Sequence, residues 1–322
     1  MKKMAAYLLS AVLCLYALPF DAMAADCLIP VGQVVGLELR NDTVSVAAFD
    51  DLLGGEAKSA GLQIGDEIID IDGKIIDDAE DVRLALERSD GRVRLRILRH
   101  DKEQELCLTP RITSDGPRLG VYLRQGITGI GTVTWYDPQT GAFGTLGHGV
   151  NDSKGELAEM TTGKVYPASV FSVKRGKCGE PGQLRGGVEG QQAIGDLKKN
   201  TSRGVFGSVE TGWKGEAVEV AACDEVRTGP ATIRSTVSGK EVREYSVEIL
   251  KIYPEKRQEG RNMLIRVTDP TLLETTGGIV QGMSGSPILQ DGKLIGAVTH
   301  VLVNDPTMGY GIFIENMLDA AA

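Results

Sequence analysis

Glycine occupies 41 positions of this chain, against 6 phenylalanines and 2 tryptophans. Nothing else in the sequence restricts its fold as much. Glycine weakens helix interiors and permits tight turns, so such density points to short strands joined by turns rather than long amphipathic helices. The expected fold is mainly β. With 322 residues, 42% apolar and 25% charged, the chain has room for two domains with their own cores.

The formal net charge of −9 is spread along the sequence. That excludes a nucleic-acid surface, which needs a basic stripe, and Lys198-Lys199 reads as a solvated turn. Five cysteines occur. Cys14 falls in the apolar leader, while Cys27, Cys107, Cys178 and Cys223 show neither C-x-x-C spacing nor a neighbouring His, so neither a metal site nor any other cofactor is expected. Lys2-Lys3, an apolar run over residues 4–20 and Ala22-Met23-Ala24 make residues 1–24 a signal peptide cut before Ala25. The run is also near the minimum length for a membrane anchor, so export leaves the chain either secreted or membrane-associated.

Residues 28–111 read as one module. Strands are expected at 34–39, 44–48, 68–71 and 93–98, with a turn at Asp72-Gly73. Between them Asp77 or Asp78 can cap a helix whose Ala79, Val82, Ala85 and Leu86 share a face. Ser59-Ala60-Gly61-Leu62-Gln63-Ile64-Gly65-Asp66-Glu67-Ile68-Ile69-Asp70-Ile71-Asp72-Gly73 resembles the signature of PDZ domains. By that resemblance Gln33, Val34, Val35 and Gly36 would present backbone N–H groups to the carboxylate of a peptide terminus, with the helix as the opposite wall. Thr113-Ser114-Asp115-Gly116-Pro117 reads as the domain boundary, leaving 117–322 as the second domain. Residues 175–195 read as a long surface loop.

In Gly282-Met283-Ser284-Gly285-Ser286-Pro287 a serine lies between glycines, where a tight turn exposes the hydroxyl and frees N–H groups for a developing oxyanion. Ser286 competes with Ser284 inside the motif. Two apolar strands follow around the hairpin turn Asp291-Gly292. This arrangement resembles the nucleophile region of chymotrypsin-like peptidases, which are double β-barrels; the resemblance implies an oxyanion hole from the N–H groups of Gly282 and Ser284. The hydroxyl needs a base. Of the three histidines, His148 lies between glycines at the end of an apolar stretch, whereas His100 falls in the first module and His300 follows a strand. For the acid that would orient the imidazole, Asp152, Asp196, Asp224, Asp269 and Asp305 remain open on spacing alone.

Taken together, Leu146-Gly147-His148, Val267-Thr268-Asp269-Pro270, Thr276-Gly277-Gly278-Ile279-Val280-Gln281 running into the serine motif, and Gly296-Ala297-Val298-Thr299-His300 resemble the stage IV sporulation protein B peptidases. The layout of leader, PDZ domain and peptidase is similar too. The resemblance implies a catalytic set of His148, Asp269 and Ser284. It further implies an exported endopeptidase that cuts itself and a membrane-associated regulator, releasing an intramembrane protease that activates a late sporulation sigma factor. Asp269-Pro270 also reads as a turn opener. Two other readings are an envelope quality-control protease of the Deg/HtrA kind, in which the peptidase normally precedes the PDZ domain, and a PDZ adaptor with an inactive barrel.

Overall fold

The structure, a computed structural model, describes residues 27–152, 155–254 and 260–322. The expected leader and its cleavage site lie outside the described residues. The described chain enters through β1 (Cys27–Pro30) and the long β2 (Val34–Phe49). A small unit follows, made of α1 (Gly55–Ser59), β3 (Glu67–Ile71), β4 (Lys74–Ile75), α2 (Ala79–Glu87), β5 (Val93–Arg99), β6 (Lys102–Leu108) and the hairpin β7 (Arg111–Thr113) to β8 (Gly116–Arg118). A second long strand, β9 (Val121–Tyr136), runs back beside β2. Then come β10 (Ala142–Thr145), β11 (Thr162–Lys174), β12 (Gln183–Val188), β13 (Gly195–Thr201), β14 (Gly204–Val209) and β15 (Val218–Glu219). The remainder is β16 (Gly229–Ser238), β17 (Glu241–Ile252), β18 (Met263–Val267), α3 (Pro270–Thr276), β19 (Pro287–Gln290), β20 (Lys293–Leu302), β21 (Asp305–Phe313) and α4 (Ile314–Ala321).

Two closed barrels and one open unit result. The ring β9-β10-β14-β13-β11-β2 closes because β2 also pairs with β9, and β16-β17-β18-β21-β20-β19 closes the second barrel. Closure removes the free edges that short strands otherwise expose. The first barrel is filled by Val35, Leu37, Leu39, Phe143, Val165 and Val205, the second by Ile233, Ile249, Met263, Ile265 and Ile288. Trp135 and Phe206 of the first barrel meet Leu294, Ala297, Ile312 and Met317 of the second barrel and α4 in one shared cluster. The fold is mainly β, a PDZ unit with a chymotrypsin-like double barrel, as the sequence led us to expect.

The PDZ unit follows local patterning closely. Val93, Leu95 and Ile97 of β5 point inward while the arginines between them face out, and α2 buries Val82, Ala85 and Leu86. Asp78 caps α2 by accepting from Asp81 N at 2.8 Å. Buried Asp66 accepts from Arg99 Nε and Nη2, both at 2.6 Å, and from Gln63 N at 2.8 Å. This ties the turn after α1 to β5.

The boundaries differ from the expected ones. β1 pairs with β9 and β15, and the 34–39 part of β2 lies between β9 and β11, so residues 27–39 belong to the first barrel rather than the PDZ unit. β2 continues past that barrel into the PDZ sheet, where Val44 and Ser45 pair with β3. One strand therefore serves both folds, and no linker separates them. Thr113 to Pro117 forms the β7–β8 hairpin, and residues 175–195, expected as a loop, contain β12 paired with β11. Cys27, Cys107, Cys178 and Cys223 are exposed free thiols.

Candidate active site

The serine segment is a turn held from both barrels. Gly277 ends α3 in the left-handed conformation (φ 77°), and Gly282 and Gly285 turn the chain at φ 97° and 94°. A Cβ on Gly285 would lie 2.1 Å from Thr132 O and 2.5 Å from Leu146 N, so a side chain cannot be placed there. From the first barrel, Thr132 N donates to Ser284 O (3.2 Å), Thr132 Oγ1 to Gly282 O (2.8 Å) and Thr134 Oγ1 to Gly285 O (2.8 Å). From β20, Val298 N donates to Ser286 O at 2.9 Å, and Val298 O accepts from Gly285 N at 2.8 Å.

Within this turn the N–H groups of Met283, Gly285 and Ser286 donate to carbonyls, whereas those of Gly282 and Ser284 have no acceptor among the described residues. Those two are the donors named for the oxyanion hole. The two serines of the motif differ in burial: Ser286 is fully buried and its hydroxyl donates to Ser235 Oγ at 3.0 Å. Ser284 is only partly buried, and its Oγ donates to Thr299 O at 2.7 Å.

His148 and the preceding Gly147 lie against the same strand, β20. The His148 ring lies 5.4 Å from that of His300, centroid to centroid, and a Cβ on Gly147 would meet Thr299 Cγ2 at 2.9 Å. The approach is strained: Leu146, buried, has φ 69° and Gly147 has φ 68°. A left-handed leucine costs about 1–3 kcal/mol and persists only where surrounding structure enforces it, here by Leu146 N donating to Thr132 O at 3.3 Å. His148 Nδ1 lies 2.8 Å from Gly149 O. A carbonyl can only accept, so Nδ1 carries the proton and Nε2 of the neutral ring keeps its lone pair, the form a general base requires. Burial holds the imidazole below its usual pKa, against the opposing effect of the Gly149 carbonyl.

Asp269 is placed otherwise. It is the N-cap of α3, with Pro270 following at the start of the helix; its Oδ1 accepts from Leu272 N at 2.9 Å and its own N–H donates to Ser246 O at 3.0 Å. None of its hydrogen bonds goes to His148. The turn-opener reading of Asp-Pro describes this geometry. Asp196 pairs with Lys164 at 2.5 Å and Asp305 accepts from Thr307, so these carboxylates are also engaged elsewhere.

The peptide groove expected at Gln33 to Gly36 is not there. Val34 and Val35 are buried, and residues 35–36 already carry β9 on one side and β11 on the other, so no further strand can be added. The PDZ unit instead has a groove of about 570 Å³ between α2, presenting Ala79, Val82 and Leu86, and Leu119, Val121 and Leu123. The edge of β9 at residues 121–123 pairs with β2 on one side only among the described residues. Gly120, at φ 73°, brings the backbone so close that a Cβ would stand 2.3 Å from Leu53 O. The sequence signal was Leu119-Gly120-Val121 before an alternating strand. A second groove, about 600 Å³, borders the serine turn and is lined by Ile130, Tyr166, Leu184 and Arg185. Leu184 N donates to Gln281 O at 2.8 Å. Sequence reasoning also passed over Thr132, Thr299 and Asn200, whose parts depend on contacts across the barrels.

A family model described as SpoIVB peptidase S55 matches residues 115–318. Among solved structures, the PDZ domain of the SdrC-like protein of Listeria monocytogenes is similar at 22% identity, covering 26% of this chain and 87% of that one with a TM-score of 0.22. The Rv3671c protease of M. tuberculosis in its active form is 15% identical over 74% of this chain and 81% of its own, with a TM-score of 0.33. A thermostable serine protease, AL20, from an extremophilic microorganism is 14% identical over 65% and 93%, with a TM-score of 0.35. No curated protein matches. With the family model spanning most of the double barrel and a serine turn, a histidine and free oxyanion donors assembled there, this chain belongs to the SpoIVB peptidase S55 family and is a serine peptidase.

Proposed function

We propose that this peptidase is an exported endopeptidase of sporulation signalling, in which Ser284 attacks the scissile carbonyl and His148 takes its proton. The observation that carries the chemistry is the convergence of Ser284 and His148 on Thr299-His300 of β20, beside the unused N–H groups of Gly282 and Ser284. Rotation of the Ser284 side chain away from Thr299 O would present Oγ to Nε2, and a tetrahedral oxyanion would then lie against the two N–H groups. Catalytic hydrogen bonds are often incomplete until substrate binds.

The substrate is a polypeptide, cut in itself and in a membrane-associated regulator whose cleavage frees an intramembrane protease and a late sigma factor. Support for this finer role comes from the family and from the PDZ groove, which offers a strand edge and an apolar pocket to a peptide terminus. Among the described residues no helix is long and apolar enough to cross a membrane. Export rests on the leader in residues 1–24. The test is a fluorophosphonate probe on the full chain: labelling and self-cleavage are expected in the native protein and absent in Ser284→Ala. Labelling retained by that variant would remove Ser284 from the mechanism.

A further inference from the structure

Among the described residues the group that bonds the imidazole of His148 is a backbone carbonyl, and that carbonyl is itself fixed. His148 Nδ1–H donates to Gly149 O at 2.8 Å. That carbonyl belongs to the peptide unit whose N–H is on Val150, and Val150 N donates to Asn200 Oδ1 at 2.9 Å. Asn200 Nδ2 donates in turn to Val150 O at 2.9 Å and to Ala158 O at 2.8 Å. The amide of Asn200 thus holds the segment after His148 from three directions. Asn200 stands on β13, opposite Val205 of β14, so the clamp is anchored in the first barrel. Gly149 leaves no slack, since a Cβ there would lie 2.8 Å from Thr201 O and 2.3 Å from Leu157 Cδ1.

We infer that Asn200 is a positioning residue for the base, acting through the Gly149–Val150 peptide group that bonds the imidazole at Nδ1. A peptide group hydrogen-bonded at its N–H is a better acceptor at its C=O, because the two bonds polarise one another. The chain Asn200 Oδ1 to Val150 N–H, then Gly149 O to His148 Nδ1–H, therefore fixes the ring plane and keeps the proton on Nδ1. It is neutral throughout, so it stabilises an imidazolium less than a carboxylate would. His300 packs beside the ring and adds no negative charge.

This rests on His148 being the base, and the experiment separates the two. On the full chain, kcat and KM for self-derived or casein peptide substrates are measured for His148→Ala, Asn200→Leu and Asn200→Asp, with thermal unfolding in parallel. Asn200→Leu keeps the volume and removes the clamp. Its kcat is expected to fall about 10- to 100-fold with KM within threefold, the range in which outer partners of catalytic groups act. Asn200→Asp keeps the acceptor for Val150 N–H but loses the donors to Val150 O and Ala158 O, so its kcat is expected between those of the native chain and Asn200→Leu. An Asn200→Leu protein with kcat within threefold of native overturns the inference while loss of activity in His148→Ala leaves the base in place. Activity retained by His148→Ala overturns both. Should Asn200→Leu fail to fold, Asn200→Asp alone decides: native kcat in that variant overturns the inference.

Discussion

Thr132 holds the nucleophile turn twice, donating its N–H to Ser284 O at 3.2 Å and its hydroxyl to Gly282 O at 2.8 Å. Thr132 belongs to β9, whose first residues form the wall of the PDZ groove. Peptide groove and catalytic turn therefore share one strand, paired with β2 over most of its length.

Thr132→Val tests the hydroxyl. It preserves shape but leaves the Gly282 carbonyl without its donor, at a cost of about 1–3 kcal/mol in stability for an unsatisfied buried acceptor. Since the same carbonyl lies in the serine turn and the N–H groups themselves remain, kcat should fall by about tenfold, less than the ~10²–10³ that removal of an oxyanion donor costs. Urea unfolding and steady-state kinetics on the one variant check both.

Burial of His148 sets a pH dependence. Its pKa lies below the usual imidazole value, so the neutral, base-competent form persists below pH ~6.5 and the acidic limb of kcat/KM should fall under that of a free histidine. For stability the sign follows from proton uptake: the unfolded chain binds the proton first as pH drops. Between the unfolded and folded values, stability should rise with pH and be lost on acidification. A pH series of melting temperatures for the native chain and His148→Gln should show this difference below pH ~6.5.

Asp269 distinguishes a cap from a catalytic acid. Asparagine caps helices about as well as aspartate, so Asp269→Asn should keep its stability and its kcat within about tenfold, while Asp269→Ala should lose about 0.5–2 kcal/mol. Removing the acid of a working triad costs nearer ~10⁴ in kcat. A loss of that size in a stable Asp269→Asn protein would return Asp269 to the catalytic set.

The PDZ groove predicts its own variant. Gly120→Val forces a side chain into Leu53 O at a positive φ, so binding of a peptide with a free, apolar C-terminus should fall more than tenfold in fluorescence anisotropy. Gln33→Ala should leave that affinity unchanged.

Inside the PDZ unit, Asp66→Ala leaves Arg99 without its carboxylate, with Gly61 O and Gln104 Oε1 still bonded, in a site where the aspartate is 1% exposed. Losing one member of a buried pair costs about 3–5 kcal/mol. The PDZ unit should then melt before the barrels in calorimetry.

Where the sequence could be read, the controlling physics was local. Asp291 and Gly292 at φ 52° and 81° make the hairpin that their dipeptide announces, β5 alternates as written, and Asp78 caps α2. Ser284 stood out because glycines on either side of a serine already specify an exposed turn. Asp269 carried two readings for the opposite reason, since a carboxylate fifteen positions before the serine can cap a helix or reach an imidazole with the same local sequence.

The amino-acid sequence by itself determined a β-rich serine peptidase, the presence of a PDZ unit and the candidates Ser284 and His148, because periodicity, turn chemistry and short motifs act over a few residues. Tertiary structure alone decided that Val34 and Val35 lie inside a barrel, that the groove of the PDZ unit sits at Leu119-Gly120-Val121, and that Asn200 bonds the segment after His148. Each of these depends on which strand lies beside which. Strand pairing is set by the closure of a sheet over distances in sequence that no local pattern records.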